Sequence, residues 1–393
     1  MNHTIEQRFS IPYEYNIYFT QDLFASSNHL LLDIIKAQGK RLPAKIAVVI
    51  DSGVNDHHPT LISEIEAFAK EHASSIVLCG KPLVVTGGET TKNTLDDVQK
   101  VLELINDGKV DRHAFIIAIG GGAVLDMAGF AAAIGHRGIG IIRVPTTVLA
   151  QNDSGVGVKN SINYFGKKNF LGTFAPPIAV INDSNFLATL DDRQWRAGIS
   201  EAVKVALIKD GAFYHWIEDN AVALSERALN PMQYLIHRCA EMHVAHIGTG
   251  GDPFEKGSSR PLDFGHWAAH KLEQLTNFEV LHGEAVAMGI CLDVVYSHLL
   301  GWVDQSVVER VVQCFHTLGF ETYHPMLSDE NGNGVNSILI NGLEEFREHL
   351  GGQLTIMLIN AIGHGVEVHE MDSVLIGQAV DFLKSTVAKP IDI

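Results

Sequence analysis

Ile116-Ile-Ala-Ile119 runs straight into Gly120-Gly121-Gly122 and then into Ala123-Val-Leu-Asp126. A short β-branched apolar run, a glycine turn and a helical pattern from Val124 read as strand, turn and helix, the order a phosphate-binding loop requires. Backbone approaches a pyrophosphate closely only where no Cβ intervenes, and a helix N-terminus turns its free N–H groups toward the anion. The spacing is not Gly-x-Gly-x-x-Gly, so the turn alone is equally consistent with a tight turn that binds nothing.

Working outward, further apolar runs at Lys45 to Ile50, Ser75 to Leu78, Leu83 to Thr86 and Ala114 to Ile119 are each short and followed by turn chemistry. Between them, Pro59 to Glu71 and Thr94 to Ile105 carry helical spacing, the second opened by Asn93 or Thr94 as a cap. The pattern predicts an α/β fold, with an N-terminal Rossmann-like, doubly wound parallel sheet. After Leu187 the texture becomes helical, over Asp192 to Ile208, Pro231 to His246, Gly265 to Thr276 and Glu284 to Leu300, with a late strand at Leu354 to Ile359. The expected division is an α/β domain over residues 1–186 and a mostly α-helical domain over 187–393. Two domains in 393 residues imply a cleft.

The formal charge of −17, from 29 basic against 46 acidic residues, makes nucleic acid a poor partner. An anionic substrate must then be held by a few concentrated cations. Cys79, Cys239, Cys291 and Cys314 lack Cys-x-x-Cys spacing and read as buried structural thiols. Glu6, Arg8 and the run Tyr13 to Tyr18 interrupt any signal-peptide core, and no window is long and apolar enough for a membrane span, so a cytoplasmic protein is expected.

Two more segments end strand-like runs, Thr86-Gly-Gly-Glu89-Thr-Thr-Lys92 and Pro145-Thr146-Thr147, and would join the glycine turn on the sheet's C-terminal edge. Asp51, closing its own run, is either a capping residue or a ribose contact. In the second half, His266 and His270 lie four apart on one helical face, His282 begins the next helix, and Glu201 lies in Ser200-Glu-Ala-Val-Lys204. One carboxylate with two imidazoles leaves open the coordination positions a catalytic Zn²⁺ or Co²⁺ needs. Spacing alone does not choose between this set and a simple His-x-x-x-His pair.

Gly120 to Phe130, Arg137-Gly138, Pro145 to Gln151, Asp153 to Lys159 and Gly166-Lys-Lys168-Asn169 follow one another in order, and together they resemble dehydroquinate synthase and the related sugar phosphate cyclases over roughly residues 45–300. The resemblance implies an NAD- and metal-dependent cyclase. Its expected metal ligands are Glu201, His266 and His282; His270 is expected to face the substrate phosphate. It places Asp51, Glu89, Lys92, Gly120, Gly121, Gly122, Asp126, Thr146, Thr147, Asp153, Lys168 and Thr189 at NAD, and Asp153, Lys159, Lys168, Asn169, Lys204, Asp263 and His270 at the substrate. Arg137 is expected to complete the neighbouring subunit's site in a homodimer. The implied chemistry is a transient oxidation by NAD⁺, phosphate elimination, return of the hydride and an aldol ring closure.

The departures are specific. Where dehydroquinate synthases hold a carboxylate with a Lys and an Arg, this chain has Ala245 and Ser259; an ionised carboxylate buried there unpaired would cost several kcal/mol. Asp263 replaces an Asn, and Arg260-Pro-Leu-Asp263-Phe-Gly-His266 resembles the 2-epi-5-epi-valiolone and 2-epi-valiolone synthase branch, which cyclises sedoheptulose 7-phosphate, and the dehydroquinate synthase-like protein of the ebo cluster. Gly155 and Val158 replace the usual Ser and Gly beside Lys159, and His364 stands at a late basic position. The alternatives are a true 3-dehydroquinate synthase, an iron-type alcohol or glycerol dehydrogenase, which has no use for a phosphate clamp, and a non-catalytic sugar phosphate or nucleotide sensor.

Overall fold

The computed structural model describes residues 3–250, 254, 262–349 and 353–387. Ser259 and Arg260 lie outside the described residues. The chain forms two compact units, one of residues 1–145 and 158–183, the other of 146–157 and 184–393. The division differs from a single cut after residue 186, because the segment 146–157 packs with the helical unit.

The first unit is built on a parallel sheet of β1 (Asn16–Thr20), β2 (Ala44–Asp51), β3 (Ile76–Leu78), β4 (Leu83–Val85), β5 (Phe115–Gly120), β6 (Gly140–Pro145) and β9 (Ala179–Asp183). Its order is β1-β9-β6-β5-β2-β3, with β4 also pairing β2. Helices α1 (Leu30–Ala37), α2 (Ser52–His57), α3 (Leu61–Glu71), α4 (Asp96–Asp107) and α5 (Gly122–Ile134) connect these strands. Strand β5 is buried at every residue, as a central parallel strand covered on both faces must be, which is why its sequence is a continuous apolar run rather than an alternating one. The expected cap at Asn93 or Thr94 is not formed as such. Leu95 occupies the N-cap of α4 without a side-chain bond, and the Asp96 amide instead donates to Thr94 Oγ1 at 3.3 Å.

An antiparallel hairpin, β7 (Lys159–Tyr164) with β8 (Lys167–Phe174), rises from this unit. It is anchored by Arg143 of β6, whose guanidinium is fully buried and donates through Nη2 to the Lys159 carbonyl at 2.8 Å and to Asn160 Oδ1 at 2.7 Å. Asn160 in turn donates to the Ala175 carbonyl at 3.1 Å. A buried cation is tolerated only when its donors find acceptors, so this network fixes where the hairpin leaves the sheet.

The second unit is helical: α6 (Asp192–Ala197), α7 (Ile199–Lys209), α8 (Gly211–Asp219), α9 (Ala221–Ser225), α10 (Leu229–Thr249), α11 (His266–Leu275), α12 (His282–Leu299), α13 (Gln305–Thr317), α14 (Ser337–His349) and α15 (Ser373–Val387). A hairpin of β10 (Ile356–Ala361) and β11 (His364–Val368) completes it, so the late strand pairs locally. The helix expected over 192–208 is broken at Gly198, where a Cβ would stand 2.3 Å from the Leu149 amide nitrogen. Helix α12 is apolar nearly all round and buried over Ala285 to Ser297, as suits the centre of a helical core. All four cysteines are buried thiols, and among the described residues no helix is long and apolar enough to cross a membrane.

Gly129 of α5 tests the hairpin anchor, because a Cβ there would lie 1.8 Å from Asn160 Oδ1. Gly129→Ala gains about 1 kcal/mol of helix propensity, but the overpacking costs about 1–3 kcal/mol and displaces an acceptor of a buried guanidinium. We expect a lower urea midpoint; a midpoint at or above the parent's would show that Arg143 and Asn160 do not anchor the hairpin.

Candidate active site

Helix α7 presents Glu201, only 1% exposed, and helices α11 and α12 each begin with a histidine. Glu201 Oε1 lies 3.6 Å from His266 Nε2 and 3.4 Å from His282 Nε2, and no hydrogen bond reaches it among the described residues. A tetrahedral zinc holding N and O donors at about 2.0–2.2 Å separates neighbouring donors by roughly 3.3–3.5 Å, so these atoms already stand at ligand spacing. The other ring nitrogens are engaged. His266 Nδ1 donates to the Phe264 carbonyl at 3.1 Å, and His282 Nδ1 donates to Glu273 Oε2 at 3.1 Å. Since both acceptors can only accept, each Nδ1 carries a hydrogen, which leaves Nε2, the atom facing Glu201, as the one a metal would take once His282 gives up its second proton. The donor set fits a divalent cation with open positions.

Charge holds this centre together. Burial pushes the Glu201 carboxyl up, but Lys204 and the two imidazoles outweigh it and hold the group well below the ordinary range. Lys204, three residues on and also buried, pairs with Glu201 Oε2. Burial lowers its pKa, yet Glu201 and Asp153 outweigh that, and it stays charged. His266 is lowered by burial and by Lys204, whereas His282, despite burial, is raised to about 10 by Glu273 and Glu201. Asp153 joins the same unit and contacts His243 Nδ1 at 2.8 Å. Burial raises its carboxyl; His243 and Lys204 more than offset this. His270 completes the cluster, with its ring 5.4 Å from that of His266 and stacked 5.9 Å from that of His282. Asp263, on the turn before α11, has a buried Oδ2 that receives no hydrogen bond among the described residues.

In the first unit, Gly121 caps α5 with no side-chain bond, leaving the helix N-terminus to backbone N–H groups. Asp51 takes the capping role. Its Oδ1 accepts from the Gly53 amide at 2.8 Å, and against the burial that raises its carboxyl stand the N–H groups of Gly53, Val54, Gly121 and Gly88. A Cβ on Gly120 would stand 3.0 Å from Asp51 Cβ and Val124 Cβ, so packing favours glycine there. Beside this turn Lys92, 4% exposed, donates to Asp126 Oδ2 at 2.8 Å and to Asn169 Oδ1 at 2.6 Å. Asn169 also accepts from Ser161 Oγ at 2.9 Å and donates its amide to Asn163 Oδ1 at 2.9 Å, while Asn163 donates to Glu89 Oε1 at 3.0 Å. The hairpin's Asn169 is thereby wired to Glu89, Lys92 and Asp126. Lys159 is exposed, and Lys168 is half-buried on the same hairpin.

The remaining candidates are placed as follows. Arg137 is exposed, with a left-handed backbone at φ 65°. Thr146 is buried and Thr147 caps the Ala150 amide at 3.1 Å, both in the helical unit. Thr189 is exposed and donates to the Phe186 carbonyl at 3.3 Å. His364 is exposed and contacts Asn360 at 2.7 Å, and Ala245 is exposed on α10. Sequence reasoning missed Glu273, His243 and Asp293. Glu273 lies seven residues beyond His266, two turns along the same face, and a carboxylate at that spacing is the one signal that pointed to it.

The profile of the 3-dehydroquinate synthase N-terminal domain matches residues 82–197, and that of the C-terminal domain matches 198–335. A 3-dehydroquinate synthase of Halorhodospira halophila is 36% identical over 332 residues, covering 82% of this chain and 90% of the relative. Among solved structures, ValA, a 2-epi-5-epi-valiolone synthase from Streptomyces hygroscopicus subsp. jinggangensis with NAD⁺ and Zn²⁺ bound, superposes with a TM-score of 0.85 at 27% identity, covering 97% of this chain and 99% of that one. A 2-deoxy-scyllo-inosose synthase complexed with carbaglucose-6-phosphate, NAD⁺ and Co²⁺ shares the fold, with a TM-score of 0.70 at 23% identity over 91% and 92% of the two chains. The glutamate, the two histidines and the glycine turn thus stand on a recognised scaffold, and the chain belongs to the 3-dehydroquinate synthase family within the sugar phosphate cyclases.

Proposed function

We propose that this chain is an NAD- and divalent-metal-dependent cyclase that closes a phosphorylated heptulose, sedoheptulose 7-phosphate above all, into a C7 cyclitol of the epi-valiolone kind, eliminating phosphate. The observation that carries the choice of substrate is Asp263, three residues before His266, with a buried Oδ2 that no donor reaches among the described residues. A carboxylate there accepts hydroxyl hydrogen bonds and repels a second carboxylate, so it suits a polyol and disfavours a keto acid. Ala245, which cannot pair with a carboxylate, supports the same reading, as does the whole-length likeness to ValA.

When bound, NAD supplies a reversible hydride acceptor and the divalent ion supplies Lewis acidity toward an alcohol oxygen. Gly120 to Gly122, with Asp51 holding their loop, would seat the dinucleotide phosphates, and Glu201, His266 and His282 would hold the ion. Lys204, kept protonated by its carboxylate neighbours, supplies a fixed positive charge for developing oxyanions, and Asp153 with His243 orients a substrate hydroxyl. Lys159, Lys168, Asn169 and His270 are assigned to the phosphate, which charge-assisted bonds grip most strongly. Arg137 is assigned to a partner subunit's site in a cytoplasmic homodimer.

A second reading, 3-dehydroquinate synthase, is favoured by the relative at 36% identity. The two separate in one assay: the protein with NAD⁺ and Zn²⁺ or Co²⁺ is given either sedoheptulose 7-phosphate or the seven-carbon keto acid phosphate. Phosphate release and a cyclic product are expected from the first alone, without net NADH. Rapid turnover of the keto acid phosphate would sink the argument from Asp263, and steady NADH accumulation would make the protein a simple dehydrogenase.

Metal binding carries its own pH signature. Without metal, His282 is raised to about 10 and is protonated at pH 8, whereas a ligand must offer Nε2 unprotonated. Zn²⁺ binding at pH 8 is therefore expected to release about one proton, and affinity should rise roughly tenfold per pH unit up to about pH 10. Calorimetry in buffers of different ionisation enthalpy measures this; zero proton release would contradict the assignment of His282.

A further inference from the structure

Two buried carboxylates lie behind the ligand histidines. Helix α11 carries the ligand His266 and, two turns on, Glu273, 4% exposed, which accepts from His282 Nδ1 on α12 at 3.1 Å. Helix α12 carries the ligand His282 and, three turns on, Asp293, fully buried, which reaches back to α11. Asp293 Oδ2 accepts from the Gly265 amide at 2.9 Å and Oδ1 from Trp267 Nε1 at 2.9 Å, the residues on either side of His266. Between them the helices touch backbone to backbone. Gly265, at φ 77°, lies against Ile290, and a Cβ on Gly289 would stand 2.0 Å from the Gly265 carbonyl oxygen.

We infer that Glu273 and Asp293 are reciprocal positioning residues, each helix using its buried carboxylate to orient the metal-ligating histidine of the other. Glu273 fixes the tautomer and ring plane of His282, and Asp293 fixes the turn from which His266 projects. Asp293 accepts at both oxygens from N–H groups flanking a ligand, and Glu273 Oε2 accepts from a ligand's own ring. A core that needed only to pack would fill these positions more cheaply with apolar side chains, since isolated buried carboxylates are costly. Removal of such an outer partner weakens a metal site about 10- to 100-fold.

The inference rests on the metal reading above, and the experiment separates the two. Zn²⁺ affinity is measured by competition with a chromophoric chelator, and Co²⁺ absorption reports coordination geometry, for the parent, Glu273→Gln, Glu273→Ala and Asp293→Asn. About a tenfold loss is expected for Glu273→Gln, which keeps an acceptor without charge, and up to a hundredfold for Glu273→Ala; Asp293→Asn, which turns one oxygen into a donor facing an N–H, should lose about tenfold and shift the Co²⁺ bands. If Glu273→Ala or Asp293→Asn loses its cooperative melt, the near-isosteric Glu273→Gln decides alone. Parent-like affinity and spectrum in Glu273→Gln, with tight binding by the parent, overturns this inference only, whereas a parent that binds no Zn²⁺ overturns the metal reading and this inference together.

Discussion

Glu201 sets the terms for the helical unit. A carboxylate at 1% exposure is sustainable only if charged and polar groups offset it, and the chain supplies the Lys204 ammonium one turn along the same helix, His282, whose pKa is raised, and the His266 ring from a third helix. Each of those partners then has demands of its own. Lys204 brings Asp153 to the same charge cluster, and His282 brings Glu273. The packing of α7, α11 and α12 follows, because three side chains meeting within a few ångströms leave little freedom for the helices that carry them. The glycines at 265 and 289 stand where α11 and α12 leave no room for a side chain.

The first unit answers to a similar constraint in a quieter form. Asp51 is buried at the end of β2 and gathers amides from the segments around it, so the glycine turn, the Gly87–Gly88 loop and the start of α2 are held by one side chain. Lys92 and Asp126 form the second tie, and through Asn169 they fix the tip of the hairpin. Backbone amides left over at the start of α5 remain the natural seat for an anion. Structure and binding capacity thus come from the same residues, and the glycine turn has a packing reason to be glycine as well as a ligand reason.

Much of this was legible in the chain because the signals were periodic. The buried strands β2 and β5 read as unbroken apolar runs, and α11 and α12 were found within two residues of their ends. His266, His282 and Glu201, chosen over a His266–His270 pair on the family resemblance, do converge. Legibility failed where a partner is chosen by tertiary contact. His243 reads as one more polar residue on α10, and nothing local says that it meets Asp153. Asp293, in the middle of an apolar helix, looks like a mistake in the pattern until Trp267 and the Gly265 amide are seen to face it. Hairpin β7–β8 went unread because its anchor, Arg143, is a cation hidden inside a strand.

Overall identity and substrate choice answer to different residues. Identity of 36% to a named 3-dehydroquinate synthase places the chain in the family and its fold, and a fold can serve more than one substrate. Substrate choice depends on the few side chains that meet the part of the sugar that differs. The proposed reading assigns that part to Asp263, a carboxylate within reach of Lys204's field, and sets beside it Ala245, which has no charge to offer an acid group. Asp263 adds a third carboxylate to the field of an ammonium that already faces Glu201 and Asp153, so a further carboxylate from a substrate would meet repulsion with no added cation to offset it. The balance of buried charge, more than the percentage of matched residues, therefore argues for a neutral polyol end on the substrate.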